Sequence, residues 1–196
     1  MVEEGLLASR AELARLLAGE KVQRNELVLR KACLDDCEEI AGFHLRLWRQ
    51  TYGDIAPQAA IDALGFERRK EQWAGKLSGN RRHALTLLAE DAHGQIVGFC
   101  DLALSGFDGF ADAIELTHLY LDEAVRGQGL GRHLLNLARL WAQECDEDDL
   151  VLAVVRQNTD GLAFYHATGG TPVAEQIDSG PLWRSENVIM RWPSST

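Results

Sequence analysis

An α/β fold built on a mixed sheet with helices on both faces is the class that the sequence predicts. Two observations carry the prediction. Strand-like apolar runs first follow one another closely, across links short enough for hairpins, and later alternate with helical stretches. The composition, 46% hydrophobic and 26% charged with 4 prolines in 196 residues, is that of an ordinary globular chain with enough length for one sizeable core.

Residues 6–19 place leucine and alanine at helical spacing, with Gly19 as a stop, and the polar segment EKVQRNE then reads as a linker. We therefore expect a helical extension over 1–25 and one domain over 26–196. LVLRKA (27–32) alternates like a strand, Asp35 to Gln50 has a helical period, and after the break at 53–57 a second helical stretch runs over 59–77. ALTLLAE and IVGFCDLALSG are strand-like and joined by DAHGQ, and AIELTHLYLD follows the loop GFDGFAD. A helix to about Cys145, the acidic turn DEDD, the run LVLAVV, a short helix through GLAFYHATGG and the strands PVAEQI and ENVIMRW complete the order.

Charge and cysteine usage exclude several classes. The formal net charge is −10 and no lysine and arginine run could follow a phosphate backbone, which argues against nucleic acid and fits a small cationic partner. Cys33, Cys37, Cys100 and Cys145 lack the paired spacing of a zinc ribbon or a disulfide framework, so reduced thiols and no metal are expected. The opening MVEEGLLASRAELARLLAGE has neither a basic start nor a long apolar run, so a cytoplasmic protein without a membrane segment is expected.

The stretch VRGQGLGRHLL (125–135) carries the strongest chemical signal. Gly127, Gly129 and Gly131 sit between a strand and a helix, where free backbone N–H groups and the helix dipole favour an anion such as phosphate. A Walker loop needs Gly-Lys-Ser/Thr where this chain has Gly-Arg-His, and a dinucleotide fingerprint needs Gly-x-Gly-x-x-Gly early in the chain. Both fail, and a glycine turn without a ligand stays open as the plain alternative.

The order strand, Arg-x-x-Gly-x-Gly (126–131), helix, strand, Asn-x-x-Gly-x-x-Phe-Tyr (158–165) resembles the signature of the GNAT superfamily of N-acetyltransferases. The likeness spans Leu27 to Trp192. Trp48 and Tyr52, then Arg69, Trp73 and Leu77, are similar to a bacterial branch of that superfamily with a Trp-x-x-x-Tyr first helix. The resemblance implies a central, mostly antiparallel, splayed sheet with helices on both faces, and acetyl-coenzyme A as co-substrate. It implies transfer of acetyl to a primary amine, on a small molecule or a protein, by direct attack in a ternary complex.

It also implies roles. The amides of Gly127, Gln128, Gly129, Leu130, Gly131 and Arg132 would cradle the pyrophosphate, with charge from Arg126 and Arg132. The strand over Leu119, Tyr120 and Leu121 would offer backbone groups to the pantetheine arm. Asn158 would contact the cofactor, with a helix cap as its plain alternative. Glu115, a carboxylate in an apolar strand, would be the base, and Tyr165 would protonate the departing thiolate. On a regular strand Glu115, Thr117, Leu119 and Leu121 share one face and His118, the reserve base, shares the other with Tyr120, provided no bulge intervenes. Trp48, Tyr52 and Glu115 would meet the acceptor, with core packing as the alternative for the two rings, and Asp54, Asp108 and Asp112 lie in loops suited to a cationic amine. Departures from the family pattern are Gly170, where an aromatic is usual, and Gly161, where alanine is. A non-catalytic acyl-coenzyme A sensor is the rival function, and the N-terminal helix is a candidate contact for a partner or a homodimer.

Overall fold

The structure, a computed structural model, describes residues 8–79, 81–147, 149–180 and 183–193. The chain is mixed α/β, with mostly antiparallel strands. Its residues fall into two compact units, one within Met1–Cys33, Asn80–Leu150 and Pro193–Thr196, the other within Leu34–Gly79 and Val151–Trp192.

In the first unit, helix α1 (Arg10–Leu17) starts at Ser9, whose Oγ accepts from the Glu12 N–H at 3.1 Å, and it buries Leu13 and Leu16. The expected start of this helix at Leu6 and Leu7 lies outside the described residues. The segment read as a polar linker holds strand β1 (Val22–Arg24), paired antiparallel with β2 (Leu27–Lys31). Asn25 turns the hairpin in the left-handed region at φ 52°, so the expected boundary after residue 25 falls inside that turn. Periodicity missed β1 because three residues give too short a pattern.

Strands β3 (Leu85–Glu90), β4 (Ile96–Leu104) and β5 (Ala113–Leu121) extend this sheet in the order β1-β2-β3-β4-β5. Asp91 Oδ1 accepts from the N–H groups of His93 and Gln95 at 2.8 and 2.9 Å and closes the β3–β4 turn, with Gly94 at φ 77°. Helix α5 (Leu130–Glu144) buries Leu134, Leu135, Leu137 and Ala138 along one face and packs on β4, β5 and α1.

The second unit opens with α2 (Cys37–Tyr52), α3 (Gln58–Ala63) and α4 (Phe66–Ser78). The single helical stretch expected over 59–77 is thus two helices, because Leu64 at ψ 74° and Gly65 at ψ 162° leave helical geometry between them. Trp73 of α4 and His44 of α2, both about 1% exposed, join the two helices: the indole N–H donates to His44 Nδ1 at 3.2 Å. Arg69 and Trp73 are therefore buried packing residues. Strand β6 (Asp149–Val155), helix α6 (Thr159–Ala167) and strands β7 (Thr171–Ile177) and β8 (Glu186–Pro193) follow, with β8 between β6 and β7. The acidic turn expected before β6 includes Asp148, which lies outside the described residues.

Among the described residues, no helix is long and apolar enough to cross a membrane, and no group of three His, Cys, Asp or Glu side chains could hold a metal ion.

Candidate active site

In the first unit, β5 carries Glu115, and a short 3-10 helix over Glu123–Val125 leads from it to the glycine turn. On the neighbouring β4, Ala103 faces Glu115, Leu102 faces Leu116 and Asp101 faces His118, so Thr117 has no opposite number and forms a one-residue bulge. Directly paired residues share a face, and Asp101 and Ala103 are two apart on β4. Glu115 therefore lies on the face of His118 and Tyr120, not on that of Leu119 and Leu121. This corrects the expectation drawn from a regular strand.

Phe99 stacks on Tyr120 at 5.7 Å and lies 6.2 Å from the His118 ring, so this face is partly apolar around its titratable groups. Glu115 is partly exposed. Its Oε2 is 3.5 Å from the Gly106 N–H in the β4–β5 loop, the loop that also holds exposed Asp108 and Asp112. Three carboxylates in one hairpin attract a cation to this end of β5. The other loop acid, Asp54, is exposed on the second unit.

Past Leu121 the backbone turns at Gly127 (φ 72°) and Gly129 (φ 83°), both in the left-handed region, and enters α5. The first helical bond runs from the His133 N–H to the Gly129 carbonyl at 3.0 Å. That leaves the amides of Leu130 and Gly131 without an intrahelical acceptor. The first turn of α5 has no acidic residue of its own to offset the positive end of its dipole. Side chains brace the turn: Arg126 Nε donates to the Leu121 carbonyl at 3.0 Å, and Gln128 Nε2 to the Ala124 carbonyl at 2.8 Å. Leu130 is buried, and Gly98 of β4 makes room for the side chain of Leu121, since a Cβ there would come within 2.6 Å of Leu121 Cδ2. The side chain of Leu130 therefore belongs to the core.

A β-branched residue at 129 cannot hold φ near 83° without strain. If this turn holds the coenzyme A that the family resemblance implies, Gly129→Val is expected to weaken its binding roughly tenfold to a hundredfold, from about 1–3 kcal/mol of strain. Titration calorimetry with coenzyme A checks this, and unchanged affinity would remove the turn from the binding site.

In the second unit, Trp48 and Tyr52 lie at the end of α2 with ring centroids 5.5 Å apart. Trp183 completes the group, 6.1 Å from Trp48 and 5.6 Å from Tyr52. The sequence reading missed Trp183; its signal was a large aromatic in the polar, glycine-containing segment before β8. Tyr165 of α6 is half-buried, edge-on to Trp192 at 5.8 Å. Burial, and secondarily the nearby Tyr52 hydroxyl, push its pKa above the ordinary phenol value, so it stays protonated.

Asn158 caps α6, its Oδ1 accepting from the Gly161 N–H at 3.0 Å. A Cβ at 161 would lie 2.7 Å from Asn158 Nδ2, so glycine in place of the usual alanine leaves the cap undisturbed. Gly170 has a similar reason. A Cβ there would lie 2.5 Å from Trp192 Cζ2, and that indole is pinned by its N–H donating to the Thr168 carbonyl at 3.0 Å. Trp192 from β8 fills the space beside the residue where an aromatic was expected. Gly170→Ala should cost about 1–3 kcal/mol through overpacking. Urea denaturation should show a lower midpoint at unchanged slope, and an unchanged midpoint would mean that Trp192 moves freely.

An acid-bearing bulged strand, followed by a left-handed glycine turn and a helix N-terminus, is suited to holding a phosphate-bearing ligand near a carboxylate. Residues 37–169 match the acetyltransferase (GNAT) family, and the chain belongs to that family. It is 28% identical over 173 residues to the uncharacterized N-acetyltransferase YuaI of Bacillus subtilis, covering 85% of this chain and 93% of that one. It is 25% identical to the spermidine N(1)-acetyltransferase of Thermoplasma acidophilum over 72% of this chain and 86% of that one. Its fold is similar to that of the PaiA N-acetyltransferase of Thermoplasma acidophilum, solved in complex with coenzyme A. The TM-score is 0.67 at 24% identity, over 85% of this chain and 98% of the other.

Proposed function

We propose that this protein transfers an acetyl group from acetyl-coenzyme A to a primary amine by direct attack in a ternary complex. The glycine turn carries the reading: two left-handed glycines lead into the N-terminus of α5, whose first turn has no acidic residue of its own, a short 3-10 helix after the strand that bears Glu115. The turn fits the pyrophosphate through the amides of 127–132, with Arg126 and Arg132 adding positive charge at its rim. Leu119, Tyr120 and Leu121 would offer backbone groups to the pantetheine arm. Asn158 would act mainly by fixing the start of α6, with its amide turned to the cofactor.

Glu115 pairs with the acceptor ammonium and, directly or through water, takes its proton so that the neutral amine can attack the thioester carbonyl. A backbone N–H near Leu119 steadies the oxyanion. Tyr165, kept protonated, donates to the departing thiolate. Trp48 and Tyr52 form an aromatic wall for the acceptor, which suits a cation. A polyamine is the first acceptor to try, because a relative is a spermidine acetyltransferase and this chain carries a net charge of −10. Four cysteines, none of them in a disulfide, fit a reducing, cytoplasmic setting.

The test is a screen of polyamines, amino acids, aminoglycosides and peptide amines with acetyl-coenzyme A, following release of free thiol. Acceptor-dependent release supports the reading. Tight coenzyme A binding with no release across the panel would favour an acyl-coenzyme A sensor instead.

A further inference from the structure

Asp101, in the middle of β4, has no exposed surface. Its Oδ1 accepts from Thr86 Oγ1 at 2.7 Å and Arg81 Nη2 at 3.0 Å, and its Oδ2 accepts from Thr117 Oγ1 at 2.6 Å. A buried carboxylate is costly unless paired and hydrogen-bonded, and these three donors, one of them cationic, hold Asp101 as the anion. Thr117 is the bulge residue, and its oxygen also lies 2.8 Å from His118 Nδ1.

Proton counting fixes the direction of this chain. Thr117 has one hydroxyl proton, and both of its oxygen neighbours on Asp101, the carboxylate at 2.6 Å and the backbone carbonyl at 3.1 Å, can only accept it. Toward His118 the same oxygen must accept, so Nδ1 carries the proton of the neutral ring and Nε2 keeps its lone pair. A network needed only to pin the bulge would end at Thr117 and Asp101. Here it extends to an imidazole one-fifth exposed, on the same face as Glu115. Among the groups around His118 are Asp101, 3.7 Å from Nδ1, with Arg81 behind it, the rings of Phe99 and Tyr120, and Glu115 along the strand.

Resting on the acetyl-transfer reading, we infer that His118 is a second proton acceptor of the site, with Thr117 and Asp101 as its positioning residues. An N–H bond of the acceptor ammonium breaks and its electron pair stays on nitrogen. The proton passes by way of Glu115 to His118 Nε2, directly or through water. The Thr117 oxygen and the Asp101 carboxylate stabilise the imidazolium until it releases that proton to solvent.

Two measurements on the full chain test this. Nitrogen-15 NMR of the histidine side chains, which needs no substrate, should show the Nδ1–H form for His118 and a shift toward Nε2–H in Thr117→Val. An Nε2–H ring in the unsubstituted protein overturns the inference whatever the enzyme does. With a reactive amine, kcat/KM against pH should have an acid limb in the imidazole range. His118→Gln should abolish the limb and lower the plateau about a hundredfold, and Thr117→Val should displace it with KM unchanged. A limb in the carboxylate range that His118→Gln leaves in place overturns the inference but keeps Glu115 as the base. Full rates in both Glu115→Gln and His118→Gln would instead count against the proposed reaction.

Discussion

Replacing Glu115 by glutamine is expected to lower kcat/KM for the acceptor by about 10²- to 10⁴-fold, the range that a positioned general base supplies. Glutamine keeps the length and the Gly106 contact but neither pairs with an ammonium nor takes its proton. The loss should be largest at neutral pH, where an alkyl amine is almost wholly protonated, and should shrink as rising pH supplies the neutral amine from solution. Tyr165→Phe is the companion test of the other proton. It should cost about 10²-fold, chiefly in kcat, because the phenol is needed only as the thiolate departs. Burial and Tyr52 raise the Tyr165 pKa, so the unsubstituted enzyme should show no alkaline limb from this group below pH of about 10. Steady-state rates over pH 6 to 10, roughly the span of the groups involved, check both variants. An unimpaired Glu115→Gln enzyme would end the assignment of this residue.

Leu16→Ala should destabilise the protein by about 2–5 kcal/mol, as expected for a fully buried leucine. Leu16 and Leu13 are 0% and 1% exposed, and α1 packs on β1, β2 and α5. The helix is also tied polarly: His133 Nε2 lies 2.8 Å from Glu12 Oε1, and Arg10 pairs with Glu144 and donates to Gln143 at 3.0 Å. Burial alone would raise the Glu12 pKa, but the hydrogen bond and charge of His133, with Arg24, bring it below the ordinary value. A lowered carboxylate pKa contributes stability above its unfolded value, about 4.3, which is lost as pH falls through the folded value. Urea midpoints should therefore drop for Leu16→Ala at neutral pH. The Glu12 contribution, seen by comparison with Glu12→Gln, should vanish in acid. A shift under about 1 kcal/mol for Leu16→Ala would mean that α1 docks loosely, as an extension would.

Much of this was legible in one dimension because it depends on local chemistry. The glycine turn requires residues that tolerate a left-handed backbone, so Gly127 and Gly129 announced themselves. Asn158 stood where a cap would, and Trp48 and Tyr52 at helical spacing had to share a face. Other features resisted for equally physical reasons. A bulge inserts one residue without changing composition, so the face of Glu115 depended on the pairing of β5 with β4. Asp101 gave a signal, a lone acid in the run GFCDLAL, but its partners Arg81 and Thr86 come from outside that run.

By itself, then, the sequence determined the α/β class, the order of most elements, the glycine turn and the residue types available for acid and base chemistry. All of these follow from short-range periodicity, backbone preference and side-chain pKa. Only the tertiary structure decided that α1 and β1 belong to the first unit, that Trp192 fills the space at Gly170, that Trp183 joins Trp48 and Tyr52, and that Glu115 and His118 share a face beside a buried Asp101. Each of these is a contact between residues far apart in the chain or a matter of strand register. Register is set by the whole sheet, and no local pattern encodes it.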